Sequence, residues 1–350
     1  VSQRMQQRLA RHPWFDLVAI AGREHGRSLS ELEWRLQHKR PDSLDLLPEP
    51  ILDVHSPKLP LRLKALGVTI VFSALPSGPA QKIEPHLTRS GLVVFSNASA
   101  YRMHPEVPLV VADVNPEALE KWPGELGRLA CATNCTLIPV LHPLHIIAKH
   151  HVVKHVKVRS EQALSGAGWT LLFDDEKRKL AIGNEIEGEA QKLIEEAERI
   201  LHLGAEWDVV CRRVDETEGH IVNVELEVEA NVTIEEINSL LRKNNYSHLS
   251  KLPSAPTTPL IVLEEPPTRE VHLWGSSHSS NPDPSQDLLA GMETCVYVEM
   301  VEGTTIKFKA LSHNTIRGAA GGVVLLAERA IAEGHIPSVD INPSDVSSDW

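Results

Sequence analysis

The sequence predicts an α/β chain in two parts. A parallel sheet of strand–helix–strand units comes first, then a mixed, β-rich part whose last helix returns to the sheet. Three observations predict it. Short apolar runs alternate with helical stretches over the first 130 residues. An alternating run at 220–228 and an apolar pair at 293–301 and 305–311 signal antiparallel strands. An Ala-rich helical run then occupies 316–333. Alternating strands and helices imply crossover units, and ligands of such sheets sit beyond the strand carboxyl ends.

In chain order, residues 3–13 read as an amphipathic helix with Met5 and Leu9 on one face, and 15–22 as a buried strand ending in a Gly turn. Residues 30–55 are polar and irregular, 68–73 form a second buried strand, and 74–79 turn sharply into a helix at 81–90. A third strand follows at 92–96. A helix is expected at 135–147, strands at 154–161, 209–214 and 220–228, and helices at 190–203 and 234–244. The 165–168 segment, the Pro-rich 251–260 and the polar 264–290 read as loops, and 293–311 as a hairpin turning at Glu302-Gly303. The expected division is 1–130 with the 314–334 helix, 131–313, and a flexible tail at 335–350.

A net charge of −12 gives no general attraction to nucleic acid or anionic membranes, and no apolar run approaches the ~20 residues of a membrane span. Residues 1–15 read as neither a signal peptide nor an arginine-rich presequence. Four cysteines are too few for a disulfide scaffold, so a reduced, cytoplasmic protein is expected. Cys131 and Cys135 are spaced more widely than a zinc knuckle, and no metal site is expected despite His142 and His145 nearby.

Cys135 precedes an apolar helical run, where the positive end of the helix dipole favours thiolate over thiol. His220 follows Gly219 at the start of a strand. Periodicity alone does not choose between this histidine and the other 17 of the 18 present.

Seven segments do choose. Ser73-Ala74-Leu75-Pro76-Ser77; Ser96-Asn97-Ala98 with Tyr101-Arg102-Met103; Thr133-Asn134-Cys135-Thr136; Gln162-Ala163-Leu164-Ser165-Gly166-Ala167-Gly168; Cys211-Arg212-Arg213-Val214 with Gly219-His220; Leu252-Pro253-Ser254-Ala255-Pro256; and His313-Asn314-Thr315-Ile316-Arg317-Gly318 follow one another in order. Together the chain resembles aspartate-semialdehyde dehydrogenases, particularly the fungal and archaeal branch. The resemblance implies a Rossmann-like first domain, a catalytic and dimerisation second domain, and NADP-dependent interconversion of aspartate semialdehyde and aspartyl phosphate. It implies Cys135 as nucleophile, His220 as acid/base partner, and Gln162 as orienting group. Arg102, Asn134, Glu189, Lys192 and Arg213 would meet substrate or phosphate. Arg23, Ser73, Ser77, Ser165, Gly166, Gly168, Asn314 and Gly318 would meet the cofactor. A homodimer or homotetramer acting on a small molecule, without nucleic acid or membrane, is implied as well.

The sequence departs from the family at several places, among them residues 268–274 and 111–115. Val1-Ser2-Gln3-Arg4 aligns with the end of the family's G-x-T-G-x-V-G-Q-R turn, so the preceding strand and glycines are absent from the sequence. A truncated sheet with a central gap and weakened NADP binding are therefore expected. Asp215 and Glu216 follow Arg213 and are expected to bring negative charge near the substrate, and the 183–189 segment is shortened. Two alternatives stay open on this ground. One is a diverged enzyme using Cys135 and His220 for a non-redox acyl transfer, hydrolysis or cyclisation. The other is a non-catalytic interaction protein.

Overall fold

The computed structural model describes residues 1–47, 50–276 and 281–336. Residues 337–350 of the expected tail lie outside the described residues. The chain begins with helix α1 (Ser2–Leu9), strand β1 (Ala21–Gly22), strand β2 (Leu52–Asp53) and helix α2 (Leu59–Ala65). Next come β3 (Ile70–Ser73), α3 (Ser77–Arg89), β4 (Val93–Ser96) and β5 (Leu129–Cys131). Strands β3, β4 and β5 form a parallel three-stranded sheet in that order, and β1 and β2 pair separately. The fold is α/β with parallel pairing here, as the alternating pattern predicts.

The expected buried strand over 15–22 is a correction: only Ala21 and Gly22 are strand, and both are partly exposed. β1 pairs with β2 alone, which leaves residues 15–20 with little ladder to join. Phe15 instead stacks on His12 and meets Phe72 edge-on, with ring centroids 4.6 and 5.3 Å apart. β4 lies between two neighbours and is buried throughout, as its continuous apolar run requires.

α3 starts earlier than expected, at Ser77 rather than 81. Pro85 inside it has no N–H to give to the carbonyl four residues back, that of Gln81. The Tyr101 hydroxyl donates to that freed carbonyl at 2.6 Å, tying the segment that carries Arg102 to α3.

The second half contains α4 (Ile138–Ala148), β6 (Val153–Gln162), α5 (Trp169–Phe173), α6 (Asp175–Ala181) and α7 (Glu189–Leu201). It continues with β7 (Glu206–Arg213), β8 (His220–Val228), α8 (Ile234–Lys243), β9 (Leu260–Val262) and the short α9 (Arg269–His272). α9 corrects the expected loop there. The hairpin β10 (Thr294–Glu302) and β11 (Thr305–Ser312) follows as expected. These strands build one mixed six-stranded sheet, ordered β7-β6-β8-β11-β10-β9. Its inner face buries Val156, Val158, Val222, Val224, Leu226, Ile306 and Phe308 in a core shared with Leu141, Leu144, Leu193 and Ile237 of α4, α7 and α8. Each such side chain contributes about 1.5–3 kcal/mol by leaving water.

The expected helix over 316–333 divides into a π-helical turn (Ile316–Ala320) and α10 (Gly321–Ala332). Val323, Val324, Ala327 and Ala330 of α10 join Met5, Leu9, Val93 and Phe95 in a second core beside the parallel sheet. The last helix thus returns to the first sheet. Among the described residues no helix is long and apolar enough to cross a membrane.

Candidate active site

Strand register assembles the first part of the site. Gln162 pairs with Arg213 at the carboxyl ends of parallel β6 and β7, and His220 opens the neighbouring antiparallel β8. Side chains two residues apart share a face. Gln162, Arg213 and His220 therefore sit at one end of the buried face, and all three are buried.

Cys135 comes from outside the sheet, in the turn before α4. Its Sγ lies 3.4 Å from His220 Nε2. The expected helix start at Cys135 is a correction, because α4 begins at Ile138. The expectation of a favoured thiolate also fails in this resting arrangement. Burial, then the Glu189 charge, push the Cys135 thiol up to about 11, against the opposing pull of Arg102 and Arg213. His220 moves the other way. Burial and the charges of Arg213, Arg269 and His313 push it well below its ordinary value, so it is neutral at pH 7.

The tautomer of His220 follows from its backbone partner. The Ala163 N–H donates to Nδ1 at 3.1 Å, so Nδ1 accepts and the ring proton sits on Nε2, facing sulfur. Arg213 is held by the same residue, Nη1 donating to the Ala163 carbonyl at 2.7 Å. Gly166 then closes over both: a Cβ there would lie 3.0 Å from His220 Nε2 and 3.1 Å from Arg213 Nη1. A side chain at this position would press on both groups.

The π-helical turn brings a second close approach. Gly318 and Ala320 donate to carbonyls five residues back, His313 and Thr315, at 3.1 Å each. A Cβ on Gly318 would lie 2.6 Å from that of Cys135, so only glycine lets the turn pack on the nucleophile. Asn314 joins three segments. Its Oδ1 accepts from Gly219 N–H and its Nδ2 donates to Ser165 Oγ, both at 2.8 Å.

The comparison with known proteins matches this geometry to a family. The aspartate-semialdehyde dehydrogenase of Archaeoglobus fulgidus is 34% identical over 95% of this chain and 95% of its own. The chain belongs to the aspartate-semialdehyde dehydrogenase family. The enzyme of that name from Aspergillus fumigatus is 32% identical, over 96% of this chain and 95% of its own. A family model described as the NAD binding domain of semialdehyde dehydrogenases matches residues 1–122. A crystal structure of the Candida albicans aspartate-semialdehyde dehydrogenase with NADP superposes with a TM-score of 0.74 at 25% identity, covering 95% of this chain and 96% of that one.

The sequence-predicted site residues fall into three groups. Cys135, His220, Gln162, Arg213, Ser165, Gly166, Asn314 and Gly318 gather as described, with Gly168 closing the 164–167 turn. Asn134 and Glu189 join them through an Asn134 Nδ2 to Glu189 Oε1 bond of 2.7 Å. Arg102 is near enough to act on the Cys135 thiol, yet it is already bonded to Glu196 and to the Asn97 carbonyl. The last group stands apart. Arg23 is exposed just after β1, Ser73 is buried at the end of β3, Ser77 opens α3, and Lys192 is exposed on the first turns of α7. The Asp215 carboxylate turns outward to Arg178, which corrects the expectation that it adds charge to the substrate site. Glu216 contributes its backbone carbonyl to Leu164 N–H at 2.7 Å.

Sequence reading missed two carboxylates, Glu196 buried and Glu218 partly buried. Glu218 accepts both Arg4 Nη2 (2.9 and 2.7 Å) and Thr315 Oγ1 (2.7 Å), next to the turn that delivers His220. Burial would raise its pKa, but His313 and Arg4 outweigh burial and hold it at about 2. Glu196 bonds the residues just before Cys135. Each lies in an acidic stretch that reads as solvated surface, so no local signal marks it.

Proposed function

We propose that the chain interconverts aspartate semialdehyde and aspartyl phosphate through an acyl group carried on Cys135, with NADP. The Cys135–His220 contact at 3.4 Å, flanked by Arg213 and Gln162, is the observation that carries this reading. It is supported by kinship over nearly the whole chain, and nothing favours the non-redox or non-catalytic alternatives.

The residues present fit the cofactor. Gly166 sets bare backbone against His220 and Arg213, and the ends of β3 and β4 meet where Asn97 N–H bonds the Ser73 carbonyl at 3.0 Å. Ser165, Gly166, Gly168, Asn314 and Gly318 would hold its nicotinamide end, with Ser73, Ser77 and Arg23 along the rest. When bound, NADP accepts the hydride removed from the substrate carbon.

The Cys135 thiol first loses its proton to solvent, and the resulting thiolate adds to the aldehyde carbon, forming a C–S bond and an alkoxide. His220 Nε2–H donates a hydrogen bond first to the thiolate and then to that oxygen, stabilising charge as it moves. Loss of hydride leaves a thioester on Cys135. A phosphate oxygen then attacks the thioester carbon, the C–S bond breaks, and the thiolate returns. Arg213 binds the substrate carboxylate through its planar fork. Gln162 and Asn134 orient the substrate, and Arg102 receives phosphate.

His220 also moves a proton, under a constraint. With Nε2 already carrying a proton, protonation falls on Nδ1 and makes an imidazolium whose Nδ1–H cannot face the Ala163 N–H. Proton uptake is therefore coupled to release of the 162–168 segment.

We further infer cytoplasmic location, a first unit of 1–130 with 314–334, and a second unit of 131–313. Assembly as a homodimer or homotetramer would use the sheet face opposite α4, α7 and α8. The Arg159–Asp208 and Lys307–Glu225 pairs lie there, half-exposed. The deciding experiment is phosphate-dependent reduction of NADP by aspartate semialdehyde, followed by nicotinamide absorbance. No turnover in the folded protein, with or without phosphate, would sink the assignment.

A further inference from the structure

Glu196 has no part in the chemistry above, yet it touches two of its components. It is 2% exposed on α7. Oε1 accepts from Arg102 Nη1 at 3.0 Å. Oε2 accepts from the Thr133 hydroxyl at 2.8 Å and from the Asn134 backbone N–H at 2.7 Å. Arg102 is 9% exposed, gives Nη2 to the Asn97 carbonyl at 2.8 Å, and keeps an Nε–H without a hydrogen-bond partner among the described residues. One buried carboxylate thus neutralises Arg102 with one oxygen and anchors the nucleophile's segment with the other.

Resting on the reading of Arg102 as the phosphate-binding arginine, we propose that Glu196 sets the affinity of the site for phosphate. It is the resting counterion of Arg102. An incoming phosphate oxygen competes with Oε1 for the guanidinium, while Oε2 keeps hold of Thr133 and Asn134. Two anions sharing one buried cation each bind it less tightly than either would alone. The uncompensated alternative, a buried guanidinium with no partner, would attract any available oxyanion strongly. Glu196 therefore keeps phosphate exchangeable and prevents the empty site from holding an unpaired buried charge. It is a positioning residue that also tunes affinity.

Glu196→Gln separates this role from a merely structural one, because the two predict opposite signs. The amide oxygen can still accept from Thr133 and Asn134, while the amide nitrogen no longer competes for Arg102. Titration calorimetry of the full chain with inorganic phosphate should show the Kd falling roughly tenfold, the scale of removing one close charge competitor from a partly buried site. A structural defect would weaken binding instead. An unchanged or higher Kd, with the thermal transition intact, overturns the proposal.

If Glu196→Gln does not fold, Glu196→Asp tests the same point. Shortening the carboxylate lengthens its pair with Arg102, so the Kd should fall by a smaller factor, and a rise overturns the idea. Glu196→Ala also drops the bonds to Thr133 and Asn134. Its kcat should fall at least about tenfold as the nucleophile's segment loosens, and a wild-type kcat would remove the anchoring half of the proposal. Failure of the underlying functional reading looks different, since wild-type protein would then show no phosphate-dependent turnover.

Discussion

At the residue scale, Cys131 and Cys135 show how placement decides chemistry. Both are cysteines before α4, but Cys131 is fully buried in β5 while Cys135 is partly exposed and meets His220. Cys135→Ser is expected to abolish turnover, whereas Cys131→Ser should leave kcat within a few-fold of wild type. An inactive Cys131→Ser that folds normally would show the nucleophile has been misassigned. The thiol itself gives a pH prediction. With its pKa near 11, Cys135 is mostly protonated at pH 7 in the ligand-free protein. Its alkylation by iodoacetamide should therefore rise about tenfold per pH unit from 7 toward 10. A plateau already reached by pH 8 would mean a thiolate is stabilised in the resting site.

At the element scale, the π-helical turn and the 164–167 turn bring glycine backbone onto reacting groups. Gly318→Ala would force a methyl within 2.6 Å of the Cys135 Cβ, which must shift one or the other. A displacement near 1 Å is expected to lower kcat about a hundredfold. Because the clash lies at the nucleophile, KM should change less than kcat. Steady-state kinetics showing near wild-type kcat would mean the turn moves freely. Much of the element plan is legible locally: β8 begins and ends where the alternating run predicts, α8 begins where expected, and no end of α7 or α8 is off by more than two residues. The run at 15–22 misleads because apolar content alone does not make a strand. Pairing does, and β1 finds only two paired residues.

At the scale of the molecule, Arg4 of α1 reaches Glu218 beside His220, while Thr315 of the last helical segment bonds the same carboxylate. One partly buried anion thus links the first helix, the catalytic turn and the returning helix. Glu218 is depressed in the folded state, so its contribution is fully present above the unfolded carboxylate range and is lost as pH falls toward about 2. A fall from the ordinary carboxylate value to about 2 corresponds to roughly 3 kcal/mol. Denaturant unfolding between pH 5 and pH 2 should show wild type losing more stability than Glu218→Gln by about this amount. Equal losses in both proteins would show that Glu218 is not the group responsible.

The sequence by itself determined the alternation of strands and helices, the positions of Cys135 and His220, and the family to which they point. Those features are written in local periodicity and in short motifs, which survive without knowledge of neighbours. Tertiary structure alone decided the electrostatic state of the site. Burial and Glu189 keep Cys135 a thiol, a backbone N–H chooses the tautomer of His220, and Glu196 and Glu218 pair with arginines far away in sequence. Charge and desolvation depend on what lies within a few ångströms in space. For Arg4 and Glu218 that neighbour is 214 residues away along the chain.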